Sequence, residues 1–138
     1  MKKNFIKECV QINIRKHLDS RGALGILEES ELPFNIKRIF YISNIPEGIQ
    51  RGGHAVIDCT QLLVPIKGSF TLLIDDGFIK KEIQLSCHKD FGILVPPLIW
   101  REMYNFSKDS VLLVVASMEF NEKNYIRDYL TYMETIRA

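Results

Sequence analysis

Few side chains in this 138-residue sequence are equipped for chemistry. There are three histidines and three cysteines. His54 stands in 51-RGGHAVIDCTQLLVPIKGSF-70, directly after paired glycines. Imidazole titrates near neutral pH, so this ring suits general acid or base work. The plainer reading is a hydrogen-bonded core histidine. Arg101, in 96-PPLIWREMYN-105, offers a cation that stays protonated and accepts no hydrogen bond, suited to clamping an anion or oxyanion. Its plainer reading is a surface side chain. Strand alternation puts Val56 on the same side as His54. Cys9, Cys59 and Cys87 have no CxxC or Cys/His ligand spacing and read as reduced, mostly buried small hydrophobes. Nothing near His17 or His88 completes a metal set.

The elements that must position these groups are mostly strands. Short β-rich runs occur at 11–16, 24–29, 36–43, 60–66, 69–75, 78–85, 91–95, 98–104 and 110–117. Turn chemistry separates them, as at Asp19-Ser20-Arg21-Gly22, Pro46-Glu47-Gly48, Lys67-Gly68 and Asp75-Asp76-Gly77. Many short strands at close spacing predict an all-β sandwich or barrel. After residue 120 the period changes. Tyr125, Ile126, Tyr129, Leu130, Met133 and Ile136 recur at helical spacing, and Asn121 suits an N-cap, so a helix is predicted over about 121–136. Its aromatic stripe reads as a packing face, against the barrel or another subunit. The length favours one domain, residues 1–138, with the barrel over about 1–118.

Hydrophobic residues make up 46% and charged residues 25%, with a net charge of +1. Such a balance gives no reason to expect nucleic acid or an anionic membrane as partner. No apolar run is long enough to span a bilayer, and the start is a poor signal peptide, so the cytoplasm is the expected compartment.

The two stretches quoted above resemble the paired motifs of the cupin fold, a jelly-roll barrel. In the first, His54 fills the first histidine position, Val56 the second and Gln61 the acid, with Gly68 after six intervening residues. In the second, Pro96 and Asn105 keep the frame, Leu98 replaces glycine and Arg101 replaces histidine. The four ligand positions therefore hold His54, Val56, Gln61 and Arg101, too few donors for a transition metal.

The order of 19-DSRGALGILEE-29, 33-PFNIKRIFYI-42, 51-RGGHA-55, 61-QLLVPIKGSFTLLIDDG-77, 96-PPLIWREMYNFS-107 and 125-YIRDY-129 resembles the dTDP-sugar 3,4-ketoisomerases, over nearly the whole chain. The related dTDP-sugar 3,5-epimerases share the fold. The resemblance implies an all-β cupin with a C-terminal α-helix, needing neither metal nor cofactor. It would isomerise dTDP-4-keto-6-deoxyglucose to a 3-keto sugar through an enediol, in deoxy-amino-sugar biosynthesis. It implies that His54 is the catalytic base, that Arg21, Tyr41 and Arg101 lie near the sugar, and that Arg51 belongs to an Arg-Gly-x-His signature. It also implies a homodimer with an exchanged N-terminal strand. One departure stands out: the family commonly reads His-Ala-His, and this chain reads His54-Ala55-Val56. Either His54 alone moves the proton, or the chain is a dTDP-sugar-binding protein with lost or altered activity. An epimerase would need a second acid/base group such as Tyr41 or Tyr104. The C4 configuration of the product stays open.

Overall fold

The computed structural model describes residues 3–138. The strands are β1 (Gln11–Asn13), β2 (Arg15–Asp19), β3 (Gly22–Ile26), β4 (Arg38–Ile42), β5 (Arg51–Val56), β6 (Gln61–Lys67), β7 (Ser69–Asp75), β8 (Lys80–Ser86), β9 (Phe91–Val95), β10 (Trp100–Tyr104), β11 (Val111–Ala116) and β12 (Tyr125–Ile126). The helix α1 (Tyr129–Arg137) ends the chain. One sheet runs β1-β9-β6-β11-β4 and the other β12-β5-β10-β7-β8; β2 and β3 form a separate hairpin. This is the all-β cupin, or jelly-roll, architecture that the motifs predict. Among the described residues, no helix is long and apolar enough to cross a membrane.

Strand alternation divides the molecule into an inside and an outside. Leu63, Phe70, Leu72, Ile93, Leu112 and Val114 point between the sheets and form the main core, each at most 3% exposed. The outer face of the first sheet is also covered. There Leu62, Val64 and Val115 pack against Ile12, Ile14, Leu27, Leu32, Phe34 and Ile36. β6 and β11 are thus apolar on both faces, which is why their sequences read as continuous apolar runs.

The predicted C-terminal helix is shorter than 121–136. Asn121 does cap a turn, its side chain accepting from the Lys123 N–H, but that turn is a 3-10 element of residues Glu122–Asn124. Tyr125 and Ile126 then pair with Val56 and Ala55 as β12. The free edge of β5 supplies backbone partners that outweigh the local helical period. The helix starts at Tyr129, capped by Asp128, whose carboxylate accepts from the Thr131 N–H at 2.9 Å. Tyr132 and Ile136 are its buried residues, and Leu130 is exposed. The packing face lies against the barrel, on Ala55, Leu98 and Trp100. The Tyr132 hydroxyl, 2.8 Å from the Asp75 carbonyl and 2.9 Å from that of Leu98, fastens the helix to the end of β7 and to the turn before β10.

Candidate active site

β5 opens with Arg51-Gly52-Gly53-His54, and both glycines have positive φ, +81° and +75°. Arg101 of β10 pairs with His54 while the next residue, Glu102, pairs with Gly52. Gly53 is therefore an extra residue in the ladder, a β-bulge of the kind that re-aims a side chain. Gly52 also lies too close to β10 for any side chain: a Cβ there would sit 2.9 Å from the Arg101 carbonyl oxygen. The paired glycines thus turn the backbone just before His54.

His54 projects into a cavity of about 520 Å³ between the two sheets. Arg101, Met103, Gln61, Leu63 and Val114 line its inner part, with Arg38, Phe40 and Ile42 from β4. Arg51, Gln50, Phe120, Tyr125 and Arg127 also line it. Four of these residues are arginines and none is a carboxylic acid, so the cavity suits an anion, and a large one.

Each charged or polar group is held in a particular way. Arg101 is 1% exposed. It donates to the Gln61 side-chain oxygen at 2.8 Å and to the Ile99 carbonyl at 2.9 Å, and its Nε is buried without a partner among the described residues. Burial lowers its pKa to about 10. Arg38 lies over the Phe40 ring at 4.9 Å and donates to the Tyr125 hydroxyl at 3.1 Å. Arg127 is paired with Glu122 and sits over the Tyr125 ring at 4.6 Å. The His54 and Tyr125 rings are 5.0 Å apart.

The half-buried His54 ring has no hydrogen-bond partner at Nδ1 among the described residues. Burial first, then the positive charges of Arg101 and Arg127, push its pKa down to about 3. The imidazole is therefore neutral at ordinary pH, the form that can accept a proton. An anion seated among the arginines would offset the second cause and make the ring more basic.

The structure brings His54, Arg51 and Arg101 together and leaves Tyr41 and Arg21 apart from them. Tyr41 is 69% exposed. It pairs with Leu113, while Phe40 pairs with Val114 and faces the cavity. Strand parity thus puts Tyr41 on the outer face of β4, and the β4 residues that line the cavity are Arg38, Phe40 and Ile42. Arg21 sits at the tip of the β2–β3 hairpin, paired with Asp19 at 2.7 Å and largely in solvent. In this chain it does not reach the cavity. Tyr104 is also outside, donating to Glu82 on the surface. Val56 is 1% exposed and packs with Cys59, Ala116 and Met118, behind Tyr125. Around His54, the remaining ligand positions of the cupin frame offer one amide, one alkyl group and one guanidinium. Sequence reading missed Arg38, Tyr125 and Arg127. The 125-YIRDY-129 segment carried the last two, read there as part of a helix.

Known proteins resemble this chain over nearly its whole length. The family model described as FdtA, WxcM-like, C-terminal, matches residues 7–137. A TDP-4-oxo-6-deoxy-alpha-D-glucose-3,4-oxoisomerase of Aneurinibacillus thermoaerophilus is 41% identical over 126 residues, covering 91% of this chain and 90% of the relative. A sugar 3,4-ketoisomerase of Thermoanaerobacterium thermosaccharolyticum, solved with TDP, superposes with a TM-score of 0.91 at 32% identity, over 96% of this chain and 97% of that one. A 3,4-ketoisomerase of Helicobacter canadensis gives 0.88 at 38% identity, over 94% and 97%. The likeness read from short motifs is thus a family relationship, and the chain belongs to the FdtA, WxcM-like family of sugar 3,4-ketoisomerases.

Proposed function

We propose that this protein converts TDP-4-keto-6-deoxyglucose to a TDP-3-keto-6-deoxyhexose, with His54 moving the carbon-bound proton. The carrying observation is a neutral imidazole aimed by a glycine bulge into a cavity of four arginines without a lining acid. The substrate supplies what such a cavity lacks. Its diphosphate brings negative charge, which planar guanidinium groups bind through paired hydrogen bonds. Its C4 ketone acidifies the proton on C3. His54 takes that proton, and Arg101 supplies a fixed positive field for the oxygen that gains charge. The same ring then returns the proton to C4. The relatives' names and the TDP-bound structure support this substrate class.

The test is direct. The protein is incubated in D2O with TDP-4-keto-6-deoxyglucose, and the sugar is followed by NMR. Formation of the 3-keto isomer is expected. A substrate that stays unchanged, with no deuterium at C3, would remove the proposal, and tight TDP binding without turnover would favour a purely binding role. Deuterium at C5 would instead mark an epimerase. The two tyrosines the sequence offered for that role, Tyr41 and Tyr104, line no part of the cavity.

We also infer a homodimer. β1 pairs with β9 of its own chain, but the β2–β3 hairpin joins neither large sheet. Leu18 and Leu24 of this hairpin are 78% and 61% exposed, and Ile39, Tyr41 and Ile66 of the first sheet are also exposed. A second copy would cover this apolar surface, with N-terminal strands exchanged. Light scattering at micromolar concentration should give twice the chain mass of 16.0 kDa; a monomer mass would overturn the dimer.

A further inference from the structure

The Arg38–Tyr125 pair is left over when binding and carbon-proton transfer have been assigned. Isomerisation moves two hydrogens, one from C3 to C4 and one from the C3 oxygen to the C4 oxygen. His54 accounts for the first. The second needs a group able both to give and to take a proton beside the two oxygens. Val56, two residues after His54, cannot do this and is buried among apolar side chains.

Tyr125 has the required placement. It is on β12 beside β5, opposite Val56, with its ring 5.0 Å from that of His54, and it lines the same cavity. Its hydroxyl accepts from Arg38 at 3.1 Å, its sole hydrogen bond among the described residues. The phenolic proton is thus left free for a ligand oxygen. The Arg38 cation that donates to the oxygen would stabilise a phenolate formed there. Arg38 is itself braced by Phe40 and Phe120, at 4.9 and 5.6 Å.

We infer that Tyr125, supported by Arg38, is the oxygen-side proton relay of the ketoisomerase reaction. This rests on the activity proposed above. As His54 removes the C3 proton and the C3–C4 bond becomes double, the Tyr125 phenol protonates the C4 oxygen. The phenolate, held by Arg38, then takes the proton of the C3 hydroxyl. The C3 carbonyl forms, and His54 delivers its proton to C4. Both groups end as they began, and no electron acceptor or other reactant is consumed. Tyr125 is thus a catalytic residue and Arg38 a positioning residue.

The experiment compares the full-length protein with Tyr125→Phe in D2O. Isomerisation, deuterium entry at C3 of recovered substrate, and TDP affinity by calorimetry are all followed. Isomerisation is expected to fall about a hundred- to ten-thousand-fold, the usual range for a lost general acid or base. Exchange at C3 should fall at least about tenfold less, because His54 can still open the C3–H bond, and TDP affinity should stay within about threefold. Arg38→Lys, which keeps a cationic donor, should retain more turnover than Arg38→Met. Three results would overturn the relay. These are a Tyr125→Phe variant at the wild-type rate, exchange lost in step with isomerisation or not detected, or a joint loss of turnover and TDP binding. A wild-type protein that neither isomerises nor exchanges would instead overturn the ketoisomerase reading beneath it.

Discussion

Replacing His54 by asparagine is expected to lower isomerisation by about a hundred- to ten-thousand-fold and to remove deuterium exchange at C3 as well. Among the described residues, no other imidazole and no carboxylate lines the cavity, so none stands ready to take the carbon-bound proton. TDP should bind nearly as before, because Arg51 and Arg127 keep their places. The same variant has a signature in the absence of substrate. Unfolded, this histidine takes up a proton near pH 6.5; folded, it does so only near pH 3. Between those values the unfolded chain binds the extra proton, so stability is lost as the pH falls from 6.5 towards 3. His54→Asn should flatten that acid sensitivity, by up to ~3 kcal/mol at pH 4, in urea titrations at pH 4 and pH 7. The pH profile of the wild type should agree. The acid limb of kcat/KM, which reports the free enzyme, should lie well below pH 6.5, and that of kcat should lie higher, because bound diphosphate offsets the arginine charges. A His54→Asn variant that still exchanges C3 at the wild-type rate would dismiss the imidazole as base.

The sequence carried the strands and the glycine-framed histidine in readable form because each is a local signal. Apolar runs between Gly, Pro and Asp turns need no partner to be recognised. The inward direction of β4 is a different matter. In 38-RIFYI-42 the alternation shows that Arg38, Phe40 and Ile42 share a face, and that Ile39 and Tyr41 share the other. It does not say which face is inside, since neither set is polar throughout and both faces of this sheet meet apolar groups. The register with β11 decides it, placing Phe40 beside Val114 and Tyr41 beside Leu113. Tyr125 fell to a similar ambiguity. Its spacing from Tyr129 suits a helix as well as it suits a strand followed by a capped turn, and the open edge of β5, far away in sequence, selects the strand. For Arg38 the alternation gave a face but no role. An arginine on a strand is ordinarily a surface residue, and only folding puts Phe40, Phe120 and the Tyr125 hydroxyl around it.

Arg101→Met is expected to separate activity from stability. The guanidinium is fully enclosed, yet it forms no ion pair among the described residues. Its two hydrogen bonds go to neutral oxygens, and the titratable groups that most affect it are Cys9, Cys59, Tyr125 and Tyr132. Holding such a charge away from water costs on the order of several kcal/mol. Methionine has a similar reach and removes that cost, while leaving the Gln61 and Ile99 oxygens short of a donor, at about 1–3 kcal/mol. The two effects oppose one another, so the melting temperature should move little in either direction. Turnover should not be spared. A preorganised donor aimed at developing oxyanion charge contributes about a hundred- to a thousand-fold to kcat, and here the donor carries a full charge with Nε still free. Activity should therefore fall by at least that factor in a protein that melts normally. A variant that melts normally and turns over within about threefold of wild type would show that Arg101 only fills space. The expected pattern would mean that the fold keeps an uncompensated cation in its core because the substrate, and not the protein, supplies the negative charge that balances it.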